Sequence, residues 1–253
     1  MPKIRRTGDA YGHELWAYMT EGHSVEIVER DDGLVATNDG PRRYFADFAA
    51  WASRERRAMR FATGSRALDV GCGAGRVSLY LQRKGLKAVA IDRSPLAIRL
   101  CRKRGVKDAR VLPIEQIARF PAGSFDTVVM FGNNLGLLGN YQKARRLLRQ
   151  LYRLTTANAV ILGESLNPYE TRLPAHLRYR RRNRQRGRMG GQIRIRIRFQ
   201  DIKGPWFDYL LVSPTELKGI LAGTGWRLQT ILRDGGPLYV AVIRRVAVMA
   251  KGS

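Results

Sequence analysis

The sequence predicts an α/β fold built on a mostly parallel sheet, and three observations carry that prediction. Arg66-Ala67-Leu68-Asp69-Val70 and Lys87-Ala88-Val89-Ala90-Ile91 are short, largely apolar runs without alternation, as expected of strands buried on both faces. Between them lies Gly71-Cys72-Gly73-Ala74-Gly75, followed by a helical stretch with Val77, Leu79, Tyr80 and Leu81 as its apolar positions. A chain of 253 residues can hold one such domain with an insertion, with a core that needs no disulfide.

The glycines let the chain turn sharply and bring its backbone N–H groups close to a ligand. Asp69 precedes Gly71 by two residues, and Asp92 closes the second strand, where a carboxylate can hold a pair of ribose hydroxyls. The dinucleotide fingerprint G-x-G-x-x-G would put its third glycine where Arg76 stands, whereas this chain has glycine at 75. Asp69 would also repel a diphosphate, which a helix N-terminus otherwise attracts. The same carboxylate favours an ammonium or sulfonium. The turn therefore suits a cofactor with a cationic centre and a ribose.

From Asp69–Gly75 and Ala90-Ile91-Asp92 onward, the chain resembles the class I S-adenosylmethionine-dependent methyltransferases. Val111-Leu112-Pro113-Ile114-Glu115 is similar to their third motif, Ser124–Phe131 to the fourth strand and Ala159–Glu164 to the fifth. Gly223-Thr224-Gly225-Trp226, Arg227–Leu232 and Leu238–Arg244 resemble their closing antiparallel pair. The resemblance covers roughly residues 60–166 and 213–246. It implies a Rossmann-like, seven-stranded, mostly parallel sheet with helices on both faces. It also implies S-adenosyl-L-methionine as cofactor and S-adenosyl-L-homocysteine as product.

Carried over residue by residue, Gly71, Cys72, Gly73 and Gly75 would meet the methionine part of the cofactor. Asp69 would reach its ammonium through water and Asp92 its ribose, with Arg93, Ser94 and Leu96 along the adenosine. Ile114 and Glu115 would flank the adenine, and Phe131, Gly132 and Asn133 would lie under the sulfonium.

The implied activity is methyl transfer by in-line displacement to a small polar or anionic acceptor. Alignment alone supplies about 7–11 kcal/mol in well-oriented reactions, so no nucleophile–base pair is required. His13, His23 and His176 are scattered, with no metal-ligand spacing. Asn133, Tyr11 and His13 are the candidates for positioning the acceptor. Gly132-Asn133-Asn134-Leu135-Gly136 departs from the Asn/Asp-Pro-Pro-aromatic signature of enzymes that methylate base amines or glutamine amides.

The rest of the chain surrounds this core. Residues 1–60 read as an N-terminal helical extension, with a helix over Ala10–Tyr18, and an acidic stretch, Glu26–Gly33, that can pair with arginines elsewhere. Residues 41–60 look helical, and Tyr44, Phe48 and Trp51 are expected to pack on the sheet. Residues 61–166 and 213–246 form the core and 247–253 a tail.

Residues 167–212 read as an inserted antiparallel β lid over the carboxyl ends of the core strands. From 168 to 200 this region carries eleven arginines against the single acid Glu170. Gln192–Phe199 alternates strictly, which predicts a strand with an isoleucine face and an arginine face. Trp206–Val212 is the second strand, with Gly204-Pro205 turning the chain between them. Arg178, Arg182 and Arg186 are candidates to clamp a carboxylate or phosphate on the substrate, since a guanidinium binds such groups bidentately. Tyr18, Asn134 and Tyr209 complete the substrate candidates.

The formal net charge of +25 admits an acidic partner such as RNA. It also admits a compositional origin, because arginine predominates and the excess is spread along core helices, as at Arg145, Arg146 and Arg149. An RNA methyltransferase using the basic lid for phosphate contacts is therefore one alternative. A non-catalytic cofactor-binding protein is another. Cys72 and Cys101 lack a pairing pattern, which points to a reducing interior and no metal site. Without a membrane span or signal peptide, the expectation is a cytoplasmic monomer or homodimer with no membrane partner.

Overall fold

The computed structural model describes residues 8–38 and 41–246, so the tail expected at 247–253 lies outside the described residues. The N-terminal part comprises α1 (Ala10–Glu21), β1 (Glu26–Arg30), β2 (Val35–Asn38), α2 (Arg42–Phe45) and α3 (Ser53–Ala58). The core then runs β3 (Arg66–Val70), α4 (Arg76–Arg83), β4 (Lys87–Asp92), α5 (Pro95–Lys103), β5 (Asp108–Val111), β6 (Phe125–Met130), α6 (Tyr141–Leu154) and β7 (Thr155–Leu166). After it come α7 (Pro174–Gln185), β8 (Gln192–Phe199), β9 (Ile202–Lys203) and β10 (Phe207–Leu210). The chain closes with α8 (Pro214–Leu221), β11 (Trp226–Leu232) and β12 (Leu238–Arg245).

Seven strands form one sheet in the order β11-β12-β7-β6-β3-β4-β5. All neighbours are parallel except β12, which runs antiparallel to both β7 and β11. This is the Rossmann-like architecture with its closing antiparallel pair. The strand order reverses between β3 and β6, where an open α/β sheet leaves a crevice at its carboxyl edge. One apolar layer joins the sheet to α6 and α8 through Leu68, Met130, Ile161, Leu147 and Leu217. The other joins it to α3 and α4 through Ala67, Val129, Leu162, Ala58 and Leu81. Burial on both faces explains why β3 and β4 read as apolar runs.

The second sheet has the order β10-β8-β1-β2, with β9 on β8, and all its pairs are antiparallel. The strand expected at Gln192–Phe199 forms over those residues, and Phe207–Leu210 returns beside it. The N-terminal extension is more than helical, because its acidic stretch forms β1 and doubles the width of the lid. Register explains the union: Glu29 lies opposite Arg196, and its carboxylate accepts from that guanidinium at 2.8 and 2.9 Å. Residues 41–60 form short helical pieces, interrupted by extended residues at Ala46–Asp47 and Trp51–Ala52. The extension is tied to the core by Asp9, which accepts from Gly12 N, Ser94 Oγ and Leu96 N, and by Trp16 Nε1, which donates to Leu96 O at 3.0 Å.

Candidate active site

At the carboxyl edge of β3 the chain turns through Gly71 and Gly73, at φ +70° and +53°. That region penalises any Cβ by about 1–2 kcal/mol. A Cβ on Gly73 would also come within 2.6 Å of Tyr11 Oη, and one on Gly71 would enter the Asn134 side chain. Asn134 Nδ2 donates to Val70 O and Gly71 O at 3.0 and 2.8 Å, bracing the turn from the loop after β6. Gly75 serves differently. It precedes α4 at φ +81° and packs against Val106 and Cys101, away from the cavity lining.

Asp92 ends β4 at 7% exposure. Its oxygens accept from Gly73 N at 3.1 Å and Ser94 N at 2.9 Å. A carboxylate offers about four lone-pair sites, so both oxygens keep capacity for hydroxyl donors. Burial pushes its pKa up, opposed by those two N–H groups. Asp69 Oδ2 accepts from Ser78 N and Ser78 Oγ at 3.1 and 2.7 Å, which anchors α4 to β3. Burial raises its pKa to about 6. Asp69 thus holds the fold as well as bordering the cavity.

Both acids line a cavity of about 1140 Å³. A typical small-molecule site measures about 300–1,000 Å³, so this one has room for two ligands. Cys72, Arg93, Ser94, Ile114, Glu115, Phe131, Gly132, Asn133 and Asn134 line it too. Ser94 caps α5 through its hydroxyl, and Glu115 pairs with Lys143 at 2.6 Å. The turn after β6 is held from outside the cavity. Glu164 Oε2 accepts from Gly132 N at 2.7 Å and Asn133 N at 2.9 Å, while its other oxygen accepts from Arg54 Nε at 2.8 Å. Asn133 sits in the left-handed region at φ 65°. Its carbonyl accepts from Tyr209 Oη at 2.5 Å, and its Oδ1 is buried without a partner among the described residues.

The second sheet lines the cavity with its apolar face: Ile193, Ile195 and Ile197 from β8, Val28 from β1, and Phe207 and Tyr209 from β10. Tyr11 borders the cavity from α1.

Several other candidates stand elsewhere. Leu96 is buried in the first turn of α5, outside the cavity lining, and offers its carbonyl to Trp16. Tyr18 leans on Phe45 with ring centroids 4.9 Å apart, and His13 is outside the lining. Neither lines the cavity. Arg178, Arg182 and Arg186 are exposed and do not line the cavity. The register of α7 buries Tyr179 and Asn183 against the lid and so turns these three arginines outward.

Sequence reasoning missed Glu26, Arg43 and Tyr44, which also line the cavity. Phe48 and Trp51 do pack against the core beside Tyr80, but Tyr44 faces inward. Glu26-Ile27-Val28-Glu29-Arg30 does not alternate, so no local signal marks Glu26 as facing inside.

A family model described as a methyltransferase domain matches residues 68–162. A solved S-adenosylmethionine-dependent methyltransferase from Bacteroides fragilis, in complex with S-adenosyl-L-homocysteine, is 26% identical with a TM-score of 0.79. That alignment covers 96% of this chain and 97% of the other. Residues 68–162 carry a methyltransferase domain, and the chain has the fold of the class I S-adenosylmethionine-dependent methyltransferase superfamily. A methyltransferase from Methanosarcina mazei shares the fold at TM-score 0.60 and 18% identity, covering 75% of this chain and 97% of that one. A ubiquinone biosynthesis O-methyltransferase from Xanthomonas oryzae pv. oryzae is 31% identical over 109 residues, 41% of this chain and 44% of the relative. The chain thus spans less than half the length of the curated relatives it matches.

S-adenosylmethionine is the cofactor of this superfamily, and the residues present fit it. Two carboxylates and a glycine cradle that a Cβ would fill face one cavity, and Asn133, whose buried Oδ1 has no partner among the described residues, is in its lining. The nearby Arg76 is engaged with Glu55, so it does not offer a diphosphate a free cation. No helix among the described residues is long and apolar enough to cross a membrane.

Proposed function

We propose that the chain transfers a methyl group from S-adenosylmethionine to a hydroxyl of a small, largely apolar acceptor. The observation that carries this reading is the continuity of one cavity from the glycine turn and Asp92 to the isoleucine face of the lid. The Xanthomonas relatives, named as O-methyltransferases, support oxygen as the receiving atom.

In this reading Asp92 binds the ribose and Gly71–Gly73 admit the methionine part. Asp69 acts on the ammonium through water. Asn133, held by Glu164, presents its side chain beside the transferred methyl. Tyr11 and Tyr209 orient the acceptor, and the lid excludes water. The cofactor supplies the electrophilic methyl, and these residues supply alignment. The acceptor is matched by apolar contact rather than by the arginine clamp expected from the sequence, since Arg178, Arg182 and Arg186 face away.

Calorimetry with S-adenosylmethionine and S-adenosylhomocysteine, followed by labelled-methyl transfer to a panel of phenols and to RNA, tests the assignment. Transfer to a phenol supports it. Transfer to RNA alone overturns it.

The outward arginines of α7 favour a second reading, RNA methylation. It requires log K to fall by about 0.7–0.9 per neutralised phosphate per tenfold rise in salt. A flat salt response excludes it. Binding of the cofactor without transfer to any acceptor would instead mark a regulatory, non-catalytic member.

A further inference from the structure

Glu26 opens β1, where the N-terminal hairpin joins the lid, and it lines the cavity at 6% exposure. Tyr44 Oη donates toward both of its carboxylate oxygens, at 3.4 and 3.3 Å. Its charge reaches Tyr11 and Glu14 on α1, Arg43 and Tyr44 on α2, and Tyr209 on β10. Tyr11 from α1, Arg43 and Tyr44 from α2, and Tyr209 from β10 line the same cavity as this carboxylate. Tyr209 connects that cluster to Asn133 through its 2.5 Å hydrogen bond.

Of the other acids on the cavity wall, Asp208 is exposed and the rest hold structure. Asp9 and Asp92 accept backbone N–H groups, Asp69 accepts from Ser78, and Glu115 is paired with Lys143. The three histidines lie outside the lining. Glu26 accepts from Tyr44 Oη, a hydroxyl whose residue also lines the cavity, at the end bounded by the second sheet and the tyrosines.

We propose that Glu26 is the catalytic base that takes the proton of the acceptor's hydroxyl, oriented by Tyr44. This rests on the hydroxyl-acceptor reading above. The acceptor oxygen forms its bond to the methyl carbon as the carbon–sulfur bond breaks. That bond's electron pair stays on sulfur, which leaves as a neutral thioether, and the hydroxyl proton moves to a Glu26 oxygen. One positive and one negative charge are thereby lost together in a buried site, so no net charge develops there. Glu14 lies behind, fully buried. Burial first, and the Glu26 charge second, push its pKa to about 9, so it adds no second negative charge near neutrality.

The test compares labelled-methyl transfer to catechol and to the more acidic 4-nitrocatechol by the wild type, Glu26→Gln and Tyr44→Phe. S-adenosylhomocysteine affinity is measured in parallel by calorimetry. General-base loss should lower the Glu26→Gln rate on catechol by about 10²–10⁴-fold, with cofactor-product affinity unchanged. The deficit should shrink on 4-nitrocatechol, whose hydroxyl ionises without help. Tyr44→Phe should show a smaller deficit with the same dependence on acidity. An undiminished catechol rate, an equal loss on both probes, or a joint loss of S-adenosylhomocysteine binding overturns the role of Glu26. If the wild type binds S-adenosylhomocysteine but methylates neither probe, the hydroxyl reading itself falls and takes this base with it.

Discussion

Replacing Glu14 with Gln should stabilise the protein, although Glu14 lies at the centre of α1 and is fully buried. Neither of its carboxyl oxygens has a hydrogen-bond partner among the described residues. Burial first, then the nearby Glu26 charge, raise its pKa from 4.5 to about 9. The folded chain therefore takes up a proton that the unfolded chain has released at any pH between those values. A folded pKa raised on an acid means stability that falls as pH rises across that window, the reverse of a paired surface carboxylate. Each pH unit costs about 1.4 kcal/mol, so at pH 7 the penalty is about 3 kcal/mol and at pH 5 about 1 kcal/mol or less. Gln keeps the shape and the neutral polarity without that proton uptake. The assay is urea unfolding of both proteins from pH 5 to 9. The variant should gain little at pH 5 and progressively more toward pH 8. A gain independent of pH, or a loss at pH 8, would refute the buried, proton-retaining carboxyl.

Other outcomes follow from the same geometry. Gly73→Ala should cost about 1–2 kcal/mol of stability from the left-handed backbone alone. Its Cβ, 2.6 Å from Tyr11 Oη, should also displace that ring and weaken S-adenosylhomocysteine binding in calorimetry. Glu164→Gln should leave the fold intact but loosen the Gly132–Asn133 turn, lowering the transfer rate more than cofactor affinity. Equal losses in both would argue against that positioning. The triple change of Arg178, Arg182 and Arg186 to Ser should leave S-adenosylhomocysteine affinity and the rate on a small acceptor within about a factor of two, since exposed charges contribute little. A large loss of small-acceptor turnover would return these arginines to the site.

The core was legible because its signals are local. Asp69, Gly71, Gly73 and Asp92 fall within one β–α–β unit, and buried parallel strands leave uninterrupted apolar runs. The isoleucine and arginine faces of β8 were equally readable from strict alternation. What pairs with β8 was not. β1 is more than 160 residues away in sequence, and nothing local to Glu26–Arg30 announces that it will sit opposite Ile195–Arg198. Glu26 therefore reaches the cavity through a long-range pairing, and the acidic stretch read only as a source of counter-charges. In one continuous helix over residues 41–60, Tyr44 would share a face with Phe48 and Trp51. The extended breaks at Ala46–Asp47 and Trp51–Ala52 separate its direction from that of Phe48 and Trp51. The arginines of α7 point outward because Tyr179 and Asn183 take the inner face, a choice of helical register that so polar a sequence conceals.

Calorimetric titration of the wild type and Asp92→Ala with S-adenosylhomocysteine tests the central claim most directly, that the cofactor lies along the glycine turn with its ribose on Asp92. Hydrogen bonds to a charged group contribute about 1.5–3 kcal/mol each, so losing them should weaken binding by at least about tenfold while the fold persists. Equal affinity of the two proteins would contradict the claim.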